Sequence, residues 1–265
     1  MKEIEEIHTF AICAYQDSPY LKKCIESLFA QRSVKEKKSK IILYTSTPTE
    51  TMTRIAKEFN IAMYIGAGGG IGADWNGALS FVDTKYATIA HQDDTYEPEY
   101  GEKVIKAFQS KNDLNIVFSD YYEIDENGTQ RKRNINLKIK TFGLCLLSLF
   151  NNKSYQRRVY SFGNFICCPA VSYNRERLSD FKFDETLRMA LDWDAWERIM
   201  QRAGSIRFLS ERLMAHRIHG DSETSANTID KNREKEEYDM FRRYWGEKMT
   251  QLLMKVYVNN QKGNS

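Results

Sequence analysis

The chain has 265 residues and a formal net charge of +3 at pH 7, which is too mild a positive charge to argue for nucleic-acid binding. A hydrophobic content of 42% supports a packed core for one large domain, or for one domain with an appendage. No apolar run approaches the roughly 18 residues of a membrane span, the acidic start is unlike a secretory signal, and five cysteines without Cys-x-x-Cys spacing favour a reduced, cytoplasmic protein.

The first half of the chain alternates between strand-like and helix-like segments. Strands are predicted at residues 8–15, 41–44 and 61–65 and in the apolar run that ends at His91. A predicted helix follows each strand: three carry apolar residues at helical spacing from Leu21, Met52 and Tyr100, and one spans Asp74 to Phe81. This alternation predicts an α/β fold with a mostly parallel sheet that is covered by helices on both faces.

The second half is less regular. The sequence predicts a strand at residues 115–119, a basic, mobile loop over residues 131–140 and a very apolar run at residues 141–150. Strand-like pieces follow at residues 165–168 and 170–173, then a helix at 194–203 and two short strands at 206–209 and 213–218. The last residues are expected to form a C-terminal helical region.

Polar side chains follow the buried strand that ends at His91. Gln92, Asp93 and Asp94 come directly after it, where ligands bind in open α/β sheets. Carboxylate and imidazole groups there suit a divalent cation that carries phosphates. A polar turn explains the same residues without a ligand, and this segment alone does not decide between the two.

A glycine cluster at residues 66–72 follows the third strand and precedes a helix. Its pattern fits a dinucleotide fingerprint, with Asp93 about 20 residues further on. Such a fingerprint belongs after the first strand, so a flexible loop that lets the backbone approach a ligand or a helix is the simpler interpretation.

Two further segments carry ionisable groups. Asp194 and Glu197 resemble a helix capping box, which leaves Asp192 as a candidate general base. Further on, Arg217 and His219 share one face of a predicted strand and suit phosphate, or phosphate with a metal. Structural roles remain the alternative for each of them.

Five segments, in this order, resemble the family 2 glycosyltransferases, which have the GT-A fold. The segments read F-A-I-C-A-Y-Q-D-S-P-Y-L, A-H-Q-D-D-T-Y-E-P-E-Y, G-N-F-I-C-C-P-A-V-S-Y, L-D-W-D-A-W-E-R-I and H-R-I-H-G-D-S-E-T. The resemblance covers residues 9–224. It implies a GT-A domain over residues 1–225, with a nucleotide-sugar half at 1–120 and an acceptor half at 121–225, and a C-terminal helical extension at 226–265.

The resemblance also implies roles for individual residues. Asp93 matches the metal-binding aspartate of the D-x-D motif, and His219, near the pyrophosphate, is expected to join it at a Mn²⁺ or Mg²⁺ ion. Asp192 matches the base that deprotonates the acceptor hydroxyl, and is expected to face Asp93 across one cleft. The expected nucleotide-sugar contacts are Ala14, Tyr15, Asp17, Ser46, Asn76, His91, Gln92, Asp94 and Arg217. The expected acceptor-side residues are Asn164 and Trp193.

Three positions depart from the family pattern. His91 replaces the first aspartate of D-x-D, which alters the metal site. The second strand ends at Ser46 without the usual acidic pair, and Leu191 stands where a glutamate usually precedes the base. These departures keep a catalytically silent sugar-nucleotide binding module among the alternatives, beside an NAD(P)-dependent enzyme that uses the glycine cluster.

The resemblance implies an inverting, metal-dependent hexosyltransferase that moves a sugar from a UDP-sugar or related donor to a glycan or lipid-linked acceptor. Surface polysaccharide, lipopolysaccharide and glycoprotein glycan synthesis are the expected settings. The apolar run at 141–150 and the arginines after it suit a peripheral contact with the inner face of a membrane, and a buried helix explains the run equally. A homodimer through the C-terminal helices is also left open.

Overall fold

A computed structural model describes residues 5–220 and 232–262 as an α/β fold. The strands are β1 His8–Ala14, β2 Ser39–Thr45, β3 Ala62–Ile65, β4 Tyr86–His91, β5 Thr95–Tyr96, β6 Leu114–Ile124, β7 Val171–Asn174 and β8 Ser205–Arg217. The helices are α1 Leu21–Phe29, α2 Arg32–Lys35, α3 Glu50–Glu58, α4 Ile71–Ser80, α5 Tyr100–Ser110, α6 Ile135–Ser148, α7 Lys153–Tyr160, α8 Leu191–Gln201, α9 Asn232–Arg242 and α10 Glu247–Lys262. A short 3-10 helix spans Cys168–Ala170.

The eight strands form one sheet in the order β3-β2-β1-β4-β7-β6-β8-β5. Strands β1 to β4 pair in parallel, and β6 pairs in parallel with β8. Only two of these strands run the other way: β7, inserted between β4 and β6, and the short β5 at the edge. The prediction of a mostly parallel, helix-covered sheet is therefore confirmed.

Two apolar clusters cover the two faces of the sheet. On β4, Tyr86 and Ala90 belong to the cluster under α1, α3 and α5, whereas Ala87 and Ile89 belong to the cluster under α4 and α8. This alternation is the period of a strand buried on both faces. It places His91, at the end of β4, on the α4 side.

The glycine cluster shapes the backbone between β3 and α4. Gly68, Gly69 and Gly70 have φ angles of 79°, 129° and 104°, a region that side chains rarely adopt. A Cβ atom on Gly66 would lie 1.7 Å from the hydroxyl of Tyr44. The loop also follows an edge strand, so the simpler structural interpretation accounts for these glycines.

Several sequence-based boundaries were wrong. Residues 135–140 belong to α6 rather than to a mobile loop, because the Asn134 side chain accepts a hydrogen bond from Leu137 N (2.9 Å) and starts the helix. Residues 165–168 form no strand, and Pro169 lies in the 3-10 helix. The two pieces predicted near the C-terminal end of the sheet are one strand, β8, with irregular pairing to β6.

Some predictions fall on residues 221–231, which lie outside the described part of the chain: Asp221 to Thr224 of the last motif, and the domain boundary at 225–226. Among the described residues, no helix is both long and apolar enough to cross a membrane.

Candidate active site

The ends of β1, β2 and β4 meet at one edge of the sheet. In the register of β1 and β4, Cys13 lies opposite His91, so Ala14 and Tyr15 lie beside the turn that follows β4. The Gln92 side chain accepts a hydrogen bond from Tyr15 N (3.2 Å) and donates one to Tyr15 O (2.9 Å). These two bonds hold the turn after β4 against the end of β1.

The residues predicted to contact the nucleoside line the same edge. Tyr15 is 49% exposed, and Asp17 accepts a hydrogen bond from Thr49 Oγ1 (2.6 Å). Ser46, after β2, donates a hydrogen bond to Asp74 Oδ2 (2.9 Å). Asn76 is engaged elsewhere, because its side chain bonds the backbone of Phe183 (2.8 and 3.0 Å).

Sequence reasoning missed Asp74, which it read only as the start of a helix. The side chain is 6% exposed, and burial raises its pKa, although the Ser46 hydroxyl works in the opposite direction. Its Oδ1 atom is buried and has no hydrogen-bond partner within the described part of the chain. An acid in the first turn of a helix beside the ends of parallel strands is the signal that could have found it.

His91, Asp93 and Asp94 gather at the end of β4. One ligand atom from each lies within 4.8 Å of the others, and the ring of Trp75 stacks on His91 with 5.4 Å between centroids. Asp94 Oδ2 and His91 Nε2 are buried and have no hydrogen-bond partner among the described residues. Such unpartnered atoms are costly in a folded protein unless a ligand satisfies them.

Residues at the end of β8 form hydrogen bonds with Asp93 and Asp94. Asp94 is completely buried and accepts hydrogen bonds from Arg217 N (2.9 Å), while its Oδ1 lies 3.0 Å from His216 Nδ1. Arg217 is 1% exposed, and its Nε donates to Asp93 O (2.8 Å). Arg217 and Oδ1 of Asp94 therefore stabilise the turn after β4. In this structure they are not exposed to a donor phosphate.

His219 lies beside Asp93 rather than in the three-residue group. Its Nε2 is 3.0 Å from Asp93 Oδ2, and its ring packs on Tyr20 with 4.9 Å between centroids. In this arrangement Nε2 of His219 is paired with the Asp93 carboxylate. His219, predicted as a second metal ligand, thus contacts Asp93, the first predicted ligand.

The pKa values of His91 and His216, at this edge, are shifted in opposite directions. Burial lowers the pKa of His91 despite the nearby carboxylates of Asp94 and Asp93, which favours a neutral ring that can bind a metal. Burial also acts on His216, but the charge and hydrogen bond of Asp94 outweigh it and raise its pKa. For Asp93, burial opposes ionisation, yet the hydrogen bond with His219 and the His91 and His216 rings hold its pKa below the usual range.

Asp192 lies in the first turn of α8 and is partly exposed. Burial raises its pKa to about 6, against the opposing effect of two hydrogen bonds. Trp193 N donates to Oδ1 and Asn164 Nδ2 donates to Oδ2, both at 2.7 Å. Asn164 is held in turn by the hydroxyl of Tyr160. A carboxylate with this pKa is suited to general-base chemistry near neutral pH.

The predicted helix start and capping box were wrong. α8 begins at Leu191, three residues earlier than expected, and its N-cap residue Ala190 makes no side-chain hydrogen bond. Asp194 lies inside the helix and pairs with Arg198 (2.7 Å) and with Arg243 (2.6 Å) that follows α9. Asp194 therefore links two helices and does not cap one.

The segment that leads into α8 is held by a side chain of α9. The carboxylate of Glu236 accepts hydrogen bonds from the backbone N–H groups of Arg188, Met189 and Ala190, at 2.7–3.2 Å. These three amides belong to the residues immediately before α8, of which Ala190 is the N-cap residue. The C-terminal helical region thus fixes the segment that presents Asp192.

The two predicted acceptor-side residues differ in placement. Asn164 is partly exposed and contacts Asp192 directly. Trp193 is 2% exposed and packs edge-on against Phe241, with 5.0 Å between centroids. Its side chain therefore belongs to the core beneath α8 and is not available to an acceptor in this conformation.

Two residues that sequence reasoning missed interact electrostatically with groups at both carboxylate sites. The positive charge of Lys140, on α6, lowers the pKa of both Asp192 and His216, although burial outweighs it at Asp192 and the Asp94 carboxylate outweighs it at His216. Its Nζ lies 3.1 Å from the Tyr121 hydroxyl. The Cys167 thiol, whose pKa burial raises, also responds to Asp94 and to Asp192. Charges at the β4 turn and at the start of α8 thus both influence this thiol.

Comparisons with known proteins agree with this architecture. Residues 9–181 match the model of the family described as "Glycosyl transferase family 2". An uncharacterized glycosyltransferase of Methanocaldococcus jannaschii is 28% identical over 153 residues, which cover 56% of this chain and 47% of that protein. The chain thus spans about half the length of this curated relative.

Among solved structures, S. aureus TarS residues 1–349 superpose with a TM-score of 0.61 at 14% identity, covering 96% of this chain and 71% of that chain. TarS with UDP-GlcNAc gives a TM-score of 0.60 at 14% identity, covering 96% and 72%. The mannosyltransferase PcManGT of Pyrobaculum calidifontis, with GDP-Man and Mn²⁺, gives 0.60 at 10% identity, covering 91% and 65%. The structural likeness shows the GT-A fold, and the family match over most of the chain shows that this protein belongs to glycosyl transferase family 2.

Proposed function

We propose that this protein transfers a sugar, with inversion, from a nucleoside diphosphate sugar to a hydroxyl group of a glycan or lipid-linked acceptor, in surface polysaccharide, lipopolysaccharide or glycoprotein glycan synthesis. The observation that carries the proposal is the pairing of two sites. Asp192, a partly exposed carboxylate whose pKa is about 6, is held by Asn164 at the start of α8, and a histidine–carboxylate group lies at the strand ends. An inverting transfer needs a base on one side of the sugar and charge neutralisation on the other.

His91, Asp93 and Asp94 are the residues proposed to hold a divalent cation. The fit rests on the close ligand atoms and on the buried, unpartnered Asp94 Oδ2 and His91 Nε2 within the described residues. Imidazole and carboxylate together suit Mn²⁺ and related ions. When bound, such an ion would supply positive charge for the diphosphate of the donor.

Asp192 is the proposed base. As the acceptor oxygen attacks C1 of the sugar, its proton passes to the Asp192 carboxylate, and the C1–oxygen bond to the diphosphate breaks with its electron pair on the diphosphate. The amide of Asn164 holds one carboxylate oxygen (2.7 Å) and Trp193 N holds the other (2.7 Å). These bonds fix the carboxylate while leaving lone pairs to receive the proton.

The donor class is inferred from relatives. TarS has been solved with UDP and with UDP-GlcNAc, and PcManGT with GDP-Man and Mn²⁺. The exposed Tyr15 and the Ser46–Asp74 pair at the ends of β1 and β2 are the proposed nucleoside contacts. UDP-sugars are the first donors to test.

The test is a donor screen scored by released nucleoside diphosphate, with the Asp192→Asn variant beside the parent. We expect turnover to fall at least about 10²-fold in the variant, while thermal stabilisation by UDP with Mn²⁺ is retained. Equal turnover in variant and parent would reject Asp192 as the base. Nucleotide binding in a parent that turns over no donor would favour a silent binding module, and stabilisation by NAD(P) alone would favour the dinucleotide alternative.

A further inference from the structure

Helix α6 is apolar on two opposite faces. Leu137, Leu144 and Leu147 are at most 5% exposed and pack into the core. On the other face, large apolar side chains are exposed to solvent at Ile135 (73%), Ile139 (48%), Phe142 (65%) and, just past the helix, Leu149 (61%). We call these last four residues the α6 stripe. Their spacing of three, four and seven residues places them on one side of the helix.

An apolar helix face of this kind is ordinarily covered. A helix that is hydrophobic all round is usually buried, and a contiguous exposed apolar patch on a soluble domain commonly marks an interaction surface. Phe150 continues the patch beyond the stripe and is 60% exposed. We therefore expect another molecule to cover the α6 stripe.

The stretch of sequence that contains the stripe carries charge of one sign. Between Glu126 and Glu176 the sequence contains no aspartate or glutamate, but it contains nine lysines and arginines. Those that are exposed near α6 include Arg131, Lys132 and Lys138. Basic residues that flank an apolar helix face are the pattern of a helix lying in the interface of an anionic bilayer.

A second copy of the chain fits less well. In a symmetric dimer the same patch meets itself, so the basic flanks would face each other, and like charges across an interface are unfavourable. An anionic polymer would satisfy the charges but would leave the apolar side chains uncovered.

We infer that the α6 stripe docks this protein onto the surface of a membrane that contains anionic phospholipid. The stripe inserts among the headgroups, and the basic residues beside it meet lipid phosphates. The docking itself does not depend on the proposed function.

The experiment is co-sedimentation of the full chain with phosphatidylcholine vesicles, with and without phosphatidylglycerol. We expect binding to the anionic vesicles and its weakening by salt. The double variant Ile135→Ser/Phe142→Ser should bind at least about tenfold more weakly, because two large apolar side chains no longer enter the interface. Lys132→Glu/Lys138→Glu should lose a similar factor.

A matched control carries the same chemistry on the opposite edge of the sheet. Ile65 is 61% exposed at the edge strand β3, and Lys57 is exposed on α3. The double variant Ile65→Ser/Lys57→Glu should bind vesicles like the parent. Thermal melting of every variant shows whether the fold is kept, as expected for exposed positions.

Three results would overturn the inference. They are a parent that ignores anionic vesicles, an α6-stripe variant that still binds as the parent does, and a parent dimer that the stripe variant abolishes without any vesicle binding. UDP binding measured on the same variants separates the two proposals. Vesicle binding without nucleotide binding would reject only the proposed function, and the reverse would reject only the docking.

Discussion

The hydrogen bond between Asn164 and Asp192 makes the pH dependence of transfer a test of the proposed base. Burial raises the pKa of Asp192 to about 6, and the carboxylate accepts a proton only when it is ionised. We therefore expect kcat/KM to rise with pH through about 6 in the parent protein. The Asn164 amide donates a hydrogen bond to Asp192 at 2.7 Å and so favours the ionised carboxylate. Because Asn164→Ala removes this donor, we expect the pKa of Asp192 to rise further in the variant.

The size of the shift follows from the interaction. A hydrogen bond to a charged group contributes about 1.5–3 kcal/mol, and one pKa unit corresponds to about 1.4 kcal/mol. Water can enter this partly exposed position and recover some of that energy, which leaves a shift of about one unit. At pH 6 the ionised fraction would fall from about one half in the parent to about one tenth in the variant, an approximately fivefold loss relative to the parent once each profile is scaled to its own plateau.

The assay is a pH series of kcat/KM for the parent, for Asn164→Ala and for the control Asn151→Ala, whose side chain is exposed before α7. The control should keep the acidic limb of the parent. An acidic limb that stays in place in Asn164→Ala, even with a reduced plateau, would refute the assignment of Asp192 as the titrating base.

Three further outcomes follow from the same contacts. Asp93→Asn should abolish the extra thermal stabilisation that Mn²⁺ gives to the UDP complex, since an amide replaces a candidate ligand; identical melting shifts in variant and parent would contradict this. Gly66→Ala should lower the free energy of unfolding by about 1–3 kcal/mol in urea, because the new Cβ lies 1.7 Å from the buried Tyr44 hydroxyl, whereas Gly246→Ala, with nothing within 4 Å, should not. Lys140→Met should move the acidic limb of kcat/KM upward by removing a charge that lowers the pKa of the proposed base, and Lys140→Arg should restore the limb.

The first half of the fold was predictable because its signals are local. Strands β1, β2 and β4 are short apolar runs, and each helix between them carries apolar residues on one face, so the order of elements follows from period alone. Even the clustering of Tyr15, Ser46 and Asp93 at one edge follows from the rule that parallel strands end at the same side.

The second half depends on contacts between distant residues. β7 enters the sheet between β4 and β6, and no local pattern specifies that neighbour. Asp194 looked like a cap because it precedes Glu197 by three residues, yet its partner Arg243 lies 49 positions away. The Asn134 cap of α6 was visible in the sequence, but the basic residues around it obscured the signal.

The site shows the same division. The residue types that follow β4 were recognised, but which atoms remain unpartnered depends on β8, since His216 and Arg217 occupy Oδ1 of Asp94. Asp74 lies on α4 and Lys140 on α6. Only the folded chain brings these two helices to the site.

The Glu236 contact with the amides before α8 has a consequence for how the protein can be divided. The last forty residues could be mistaken for a dispensable extension. However, Glu236 in this region holds the residues just before α8, the helix that carries Asp192. We expect a fragment that stops at residue 225 to bind a nucleotide at the strand ends but to lose transfer activity. Adding a peptide of residues 226–265 should restore that activity.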